Sequence, residues 1–375
     1  MPPAPQHETP AMPHLVVSIT GHGYGHVAQT APVLNELRRL MPDLRITVRS
    51  SAPPAQLRSR IHAPFEHMPS HGDIGMVMTS ALEVDVAASC AAYRAFHEDW
   101  EKQVDAEAQL LRALAADFVL SNVGYLALAG AQRAGIANAA LCSLNWHDIC
   151  RHYCDDAGIT GQIFDCYARA SAFLRATPGM EMTSLPNVIP IEPIAATGTN
   201  RRSELNGRLG LTDGEILVLA SLGGIAGRLP MECWPRIDGV RWLVQRDWQV
   251  QHPDAVTLES LQMPFSDLLA SCDVLLTKPG YGSFVEAACS GTPVLYVGRP
   301  DWPEAPVLIA WLQRNGTCRE ISRGSLDAGD FTTALEELLD MPRTPPVVPT
   351  GAMQAAKWLA TGLSSTGRAV TGWKT

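Results

Sequence analysis

The chain lacks any run of about 18 apolar residues, the length a helix needs to cross a bilayer. It lacks a surplus of positive charge: 29 Lys and Arg stand against 38 Asp and Glu, a formal net charge of −9. A phosphate backbone needs clustered cations, so this balance argues against nucleic acid as a partner. A local basic spot can still hold one small anion. No CxxC pair occurs among the nine cysteines, at 90, 142, 150, 154, 166, 233, 272, 289 and 318, which leaves zinc and redox motifs without support. An odd count in mostly apolar surroundings suits reduced, buried thiols and a cytoplasmic location. The opening MPPAPQHETPAMP has neither the basic start nor the apolar stretch of a secretory signal, so residues 1–13 read as a disordered Pro-rich leader.

What is present is a core-forming composition, 46% apolar and 18% charged over 375 residues, long enough for two domains at roughly 150 residues each. Leu15 to Thr20 has strand character and stops at a glycine-rich turn, Gly21 to His26. Val27, Ala31, Leu34, Leu37 and Leu40 then recur at helical spacing, and Leu44 to Val48 reads as a second strand. Strand, turn, helix and strand make a βαβ unit, hence a parallel sheet. The alternation continues with one long helix over about 83–116, strands at 117–121, 136–141 and 173–176, and helices over 124–134 and 155–171. Residues 188–200, with two prolines and little periodicity, read as a linker. A second series follows, with strands at 216–221, 240–244, 256–258, 273–277 and 293–297, helices over 263–271, 304–314 and 330–340, and a last helix near 352–361. The expected fold is α/β: two doubly wound Rossmann-like domains, 14–187 and 201–350, facing across a cleft, with a C-terminal helix and tail over 351–375.

In open α/β sheets, ligands bind beyond the carboxyl ends of the strands. Four turns fall there. Gly21 to His26 matches neither GxGxxG nor GxxxxGK[ST], but it carries His22 and His26 at a helix start, where a neutral imidazole can take a proton from a hydroxyl near pH 7. Gly223 and Gly224, after the strand ending at Ser221, suit close passage of a phosphate, and Arg228 can add charge. The sharpest signal is Lys278-Pro279-Gly280-Tyr281-Gly282-Ser283, where the amides of 282–284 at a helix start can hold a diphosphate. One turn on, Glu286 can accept both hydroxyls of a ribose. The fourth turn, Arg299-Pro300-Asp301-Trp302-Pro303-Glu304, is a rigid polar cluster able to meet sugar hydroxyls.

These residues carry a resemblance. The stretch from Pro264 through Lys278 to Ser283, Glu286-Ala287, Gly291-Thr292-Pro293, and Arg299 to Glu304 resembles the donor domain of GT-B glycosyltransferases. The likeness is to the plant UDP-glycosyltransferases and to the enzyme that adds N-acetylglucosamine to lipid-linked muramyl peptides; the glycosyltransferase-like domain of L-arabinokinases is similar too. Gly25-His26 resembles the Gly-His pair of the same superfamily. The resemblance implies a nucleotide-sugar donor, commonly a UDP-sugar, on the second domain, with no further cofactor. Gly282 and Ser283 would lie at the phosphates, Glu286 at the ribose, and Asp301 and Glu304 by the sugar, with Gly223, Gly224, Gly280, Tyr281 and Arg299 in the same donor-binding set. His26 would be the general base that deprotonates a hydroxyl of a small-molecule or lipid acceptor, with inversion and without a metal.

The chain departs from the family at one telling place. Many members orient the base with an Asp at the end of a later first-domain strand, and here that strand ends in Asn122. Asp73 and Asp148, in loop-like segments of the first domain, are the candidate substitutes. Trp146, Tyr93, Trp100 and Phe96 are candidates to line an apolar acceptor pocket. A non-hydrolysing UDP-sugar epimerase and a non-catalytic nucleotide-sugar-binding module are the alternative readings.

Overall fold

The computed structural model describes residues 12–212, 214–224 and 229–366. Most of the expected leader, Arg228 and the end of the C-terminal tail lie outside the described residues.

Two parallel sheets carry the chain. The first holds β1 (His14–Ile19), β2 (Arg45–Ser50), β3 (Glu66–Pro69), β4 (Phe118–Asn122), β5 (Ala137–Cys142), β6 (Phe173–Ala176) and β7 (Val188–Ile191), in the order β3-β2-β1-β4-β5-β6-β7. The second holds β8 (Ile216–Ala220), β9 (Val240–Val244), β10 (Ala255–Thr257), β11 (Val274–Thr277), β12 (Val294–Val297) and β13 (Cys318–Ile321), in the order β10-β9-β8-β11-β12-β13. Their inner strands, such as LVVSI, ILVLA and VLLT, are near-continuous apolar runs, as strands covered on both faces require. Strand order reverses between β1 and β4 in one sheet and between β8 and β11 in the other. The turns at 21–26, 221–224 and 278–283 lie at these two switch points, where the fold leaves a crevice.

The two halves meet at the starts of two helices, Gly25–Leu40 and Tyr281–Ser290. A Cβ at Gly282 would lie 3.2 Å from Ala28 Cβ, and one at Gly224 would lie 2.3 Å from the Tyr24 ring, so glycine at each permits the close approach. The last helix, Gly351–Thr366, returns to the first half and packs on helix Gly25–Leu40, β4 and β7. Gln354 Oε1 accepts from the Glu192 amide at 2.8 Å. One apolar cluster therefore runs from Leu15 and Leu34 through Ala355 and Leu359 to Leu275 and Phe284. No helix among the described residues is long and apolar enough to cross a membrane.

Three expectations need correction. The long helix over 83–116 is two helices, Val86–Glu98 and Trp100–Ala113, broken where Asp99 leaves helical geometry (φ −109°, ψ 36°) without a glycine or proline to announce it. The segment 188–200 opens with β7, not with linker; Pro190 is tolerated because β7 is an edge strand with no further neighbour to receive its missing N–H. The cysteines are not all free thiols. Cys90 and Cys154 form a disulfide: they are 64 residues apart, yet the fold brings their Cα atoms to 5.6 Å, a proximity that spacing alone does not reveal. Cys142, Cys150, Cys166, Cys272 and Cys289 are buried and free.

Candidate functional site

Between the two switch points lies a cavity of about 450 Å³. The first sheet contributes His22, Tyr24, His26, Gln29 and Ser143 to its wall. The second contributes Gly223, Gly224, Gly280 to Ser283, Lys278, Glu286, Arg299 and Glu304. Asp301 faces solvent outside it, and its carbonyl oxygen accepts from the Tyr153 hydroxyl.

His26 opens helix Gly25–Leu40, just past β1. The register places Ile19 opposite Asn122, so the end of β4 lies beside the end of β1. His26 Nδ1 and Asn122 Oδ1 are 2.7 Å apart. His26 is 6% exposed, and burial lowers its pKa from 6.5, with the Asn122 bond and the charge of Asp73 acting in the opposite direction. Burial favours the neutral imidazole that a general base must be at pH 7. The candidate carboxylates sit elsewhere. Asp73 makes no hydrogen bond to His26 and acts on it through space; its Oδ2 accepts from Trp146 Nε1 at 3.2 Å. Asp148 is held by Asn145, through Nδ2 to its Oδ2 at 2.8 Å, and is not brought to His26. Asn122 is the oxygen partner of the imidazole, with Cys142 Sγ farther off at 3.8 Å from the same Nδ1, and it is one link of a buried chain. Asn122 Nδ2 donates to Gln29 Oε1 at 3.3 Å, Gln29 Nε2 to Ser143 Oγ at 2.8 Å, and the Ser143 hydroxyl to Glu304 Oε1 at 2.5 Å.

The opposite wall brings a helix start together with two basic side chains. Gly280 caps helix Tyr281–Ser290 with no side-chain acceptor, so the first amides have no capping partner. The amide of Phe284 is already bonded to the Gly280 carbonyl at 3.1 Å, which moves the free set from 282–284 to 281–283. Lys278 and Arg299 are both buried beside this turn. Burial pushes the Lys278 ammonium down to about 7, with Arg299 adding to the shift and Glu304 opposing it. Arg299 lies over the Trp302 ring, 4.2 Å from its centroid, and is pushed down to about 10 by burial. Among the described residues its bonds go to weak partners, the Leu82 carbonyl at 3.3 Å and Met78 Sδ at 3.6 Å. Glu304 is the carboxylate whose charge acts most on these cations. Its oxygens accept from Ser143 and, at 3.3 Å, from Trp302 Nε1, and burial raises its pKa. His22 stacks on Trp302 with ring centroids 6.3 Å apart; burial first, then the charges of His26, Arg299 and Lys278, push it down to about 3, so it is neutral.

The other expected residues divide. Gly223 (φ +81°) lines the cavity beside Gly224, over which the Tyr24 ring lies. Tyr281 points its hydroxyl away from the cleft, donating to the Thr177 carbonyl at 3.0 Å and accepting from the Ile194 amide at 2.9 Å, so only its backbone serves the site. The Glu286 carboxylate is held by both Nη atoms of Arg60, one of them at 3.2 Å. Arg60 ends the short first-domain helix Pro54–Arg60, and its guanidinium lies 5.5 Å from the Phe265 ring centroid. Glu286 is 2% exposed under an Arg60 side chain that is 21% exposed. Trp146 and Tyr93 are core residues, and Trp100 faces a separate groove with Arg133 and Arg169. The aromatic ring that lines the cavity among the indoles is Trp302. Gln29, Ser143 and Arg60 carry no motif in the sequence; only the fold brings them to the site.

No family model matches the chain. It is similar to the L-arabinokinase of Arabidopsis thaliana, 26% identical over 348 residues, 88% of this chain, and it spans 32% of that protein's length. Among solved structures it is similar to the glycotransferase of kitacinnamycin (TM-score 0.59, 17% identical, 96% of each chain). It is also similar to a UDP-N-acetylglucosamine 2-epimerase (TM-score 0.53, 12% identical, 97% of this chain and 100% of that one). The fold is GT-B: two parallel-stranded α/β halves facing across a cleft.

Proposed function

We propose that the chain is an inverting glycosyltransferase that moves a sugar from a nucleotide-diphosphate donor, a UDP-sugar, to a hydroxyl of a small-molecule or lipid acceptor. The observation that carries this reading is the placement of His26, neutral and held through Nδ1, across one cavity from a helix start flanked by Lys278. In this reading His26 Nε2 takes the proton of the acceptor hydroxyl. The acceptor oxygen attacks the anomeric carbon from the side opposite the diphosphate. The bond from that carbon to the diphosphate oxygen breaks with its electron pair, and the configuration inverts. The amides of 281–283 and the Lys278 ammonium stabilise the leaving diphosphate, a role that needs no metal. Glu304 and Arg299 meet the donor sugar, and Glu286 the ribose.

Likeness to an epimerase supports a second reading, isomerisation of the sugar on its nucleotide, since that chemistry also needs acids and bases around one cavity. Incubation with UDP-sugars, with and without cell extract as acceptor source, separates the two. Transfer releases UDP in step with a glycosylated acceptor, whereas epimerisation converts the nucleotide sugar with no acceptor present. His26→Ala is expected to lower the transfer rate by about 10²–10⁴-fold while donor affinity stays close to wild type. Nucleotide binding without any turnover, the same in wild type and His26→Ala, would reduce the chain to a binding module.

A further inference from the structure

The base of this site has no carboxylate on its Nδ1, yet its tautomer is still specified. An amide oxygen and an amide nitrogen look alike in shape, so the direction of a chain of amides is set at its ends. One end here is Glu304. Its Oε2 faces Trp302 Nε1, which can only donate, and its Oε1 faces the Ser143 hydroxyl. The Ser143 and Trp302 donors and the charges of Arg299 and Lys278 favour the ionised form that burial opposes; in that form the carboxylate can only accept, so Ser143 donates to it. Ser143 Oγ then accepts from Gln29 Nε2, Gln29 Oε1 accepts from Asn122 Nδ2, and Asn122 Oδ1 is left to accept from His26 Nδ1–H. The reversed chain would end with Ser143 accepting a proton-bearing bond from Glu304, which requires Glu304 to be protonated. All five residues are 6% exposed or less, so these bonds lie in surroundings of low dielectric, where each is stronger than in water.

We infer that Glu304, through Ser143, Gln29 and Asn122, is the positioning residue that holds His26 in the Nδ1–H tautomer with Nε2 free to act as base. The chain does at four bonds' distance what a carboxylate on the imidazole would do directly. His26, Gln29, Asn122 and Ser143 belong to the first half, and Glu304 belongs to the second. The base is therefore aligned only while the two halves are correctly docked. The inference rests on His26 being the base, but its test reads the imidazole itself and needs no turnover.

Nitrogen-15 NMR of histidine-labelled protein at neutral pH distinguishes the ring nitrogens of His26 as protonated or unprotonated, with His26→Gln identifying the resonances. Wild type is expected to show Nδ1 protonated and Nε2 not. Ser143→Ala cuts the chain and is expected to give a mixture of the two tautomers; Gln29→Met cuts it one link earlier and serves if Ser143→Ala folds poorly. Adding Asn122→Asp to Ser143→Ala places a carboxylate on Nδ1 and is expected to restore the wild-type pattern. With transfer as the readout, Ser143→Ala should lower kcat by a factor between about 10 and 10⁴, the upper figure corresponding to a wholly wrong tautomer, with donor KM unchanged. An unaltered Nδ1–H signature in both cut variants would overturn the inference. A correct wild-type tautomer in a protein with no transfer activity would instead remove the role of His26 as base.

Discussion

Lys278 is the residue whose chemistry is most exposed to pH. Its ammonium, pushed down to about 7 by burial, is charged below that pH and loses its charge above it. A bound diphosphate stabilises the charged form, so affinity for a UDP-sugar should fall as pH rises from 6 to 8, by at most about tenfold per pH unit. The phosphates of a UDP-sugar do not titrate in that range, so the slope comes from the protein, where Lys278 lies by the helix start and Glu304 and His26 face the same cavity. Calorimetric titrations across the range check this, and Lys278→Met should flatten the dependence; a slope unchanged in that variant would remove Lys278 from the donor site. That Lys278, His26 and Glu304 line one cleft was legible in the sequence because each closes or follows a strand at a turn of an α/β sheet. Asn122 was legible as a departure, but not as a link, because Gln29 and Ser143 lie 93 and 21 residues from it with no spacing that joins them. Asp73 and Asp148 fell outside the network because a carboxylate in a loop carries no sign of which partner it will meet.

At the scale of elements, the short helix Pro54–Arg60 links the halves through Arg60 and Glu286. Removing the cation leaves a buried carboxylate unpaired. Breaking a fully buried pair in this way costs about 3–5 kcal/mol, and the partial exposure of Arg60 puts the expected loss below that range. Arg60→Ala should thus lower the melting temperature, and Arg60→Ala with Glu286→Gln should recover most of the loss; equal melting temperatures for wild type and Arg60→Ala would show that the pair contributes nothing. That helix was not anticipated, since seven residues give too little periodicity to register. The regular alternation of strand and helix was readable, because strands buried on both faces are continuous apolar runs. The break at Asp99 and the edge strand β7 were not, the first because no helix breaker marks it and the second because Pro190 within it and Pro193 after it look like linker.

For the whole molecule, the doubled βα series was enough to expect two halves across a cleft, and the parallel sheets with their two switch points have that form. The return of helix Gly351–Thr366 to the first half was not legible, since a single amphipathic helix does not say which surface it covers. The central claim concerns the cleft as a unit: a nucleotide diphosphate lies against the amides of 281–283 and Lys278, facing His26. A crystal structure of the protein with UDP tests this most directly. The account predicts the diphosphate at that helix start, with the ribose toward Glu286; UDP bound away from the cleft, or diphosphate oxygens remote from Lys278, would contradict it.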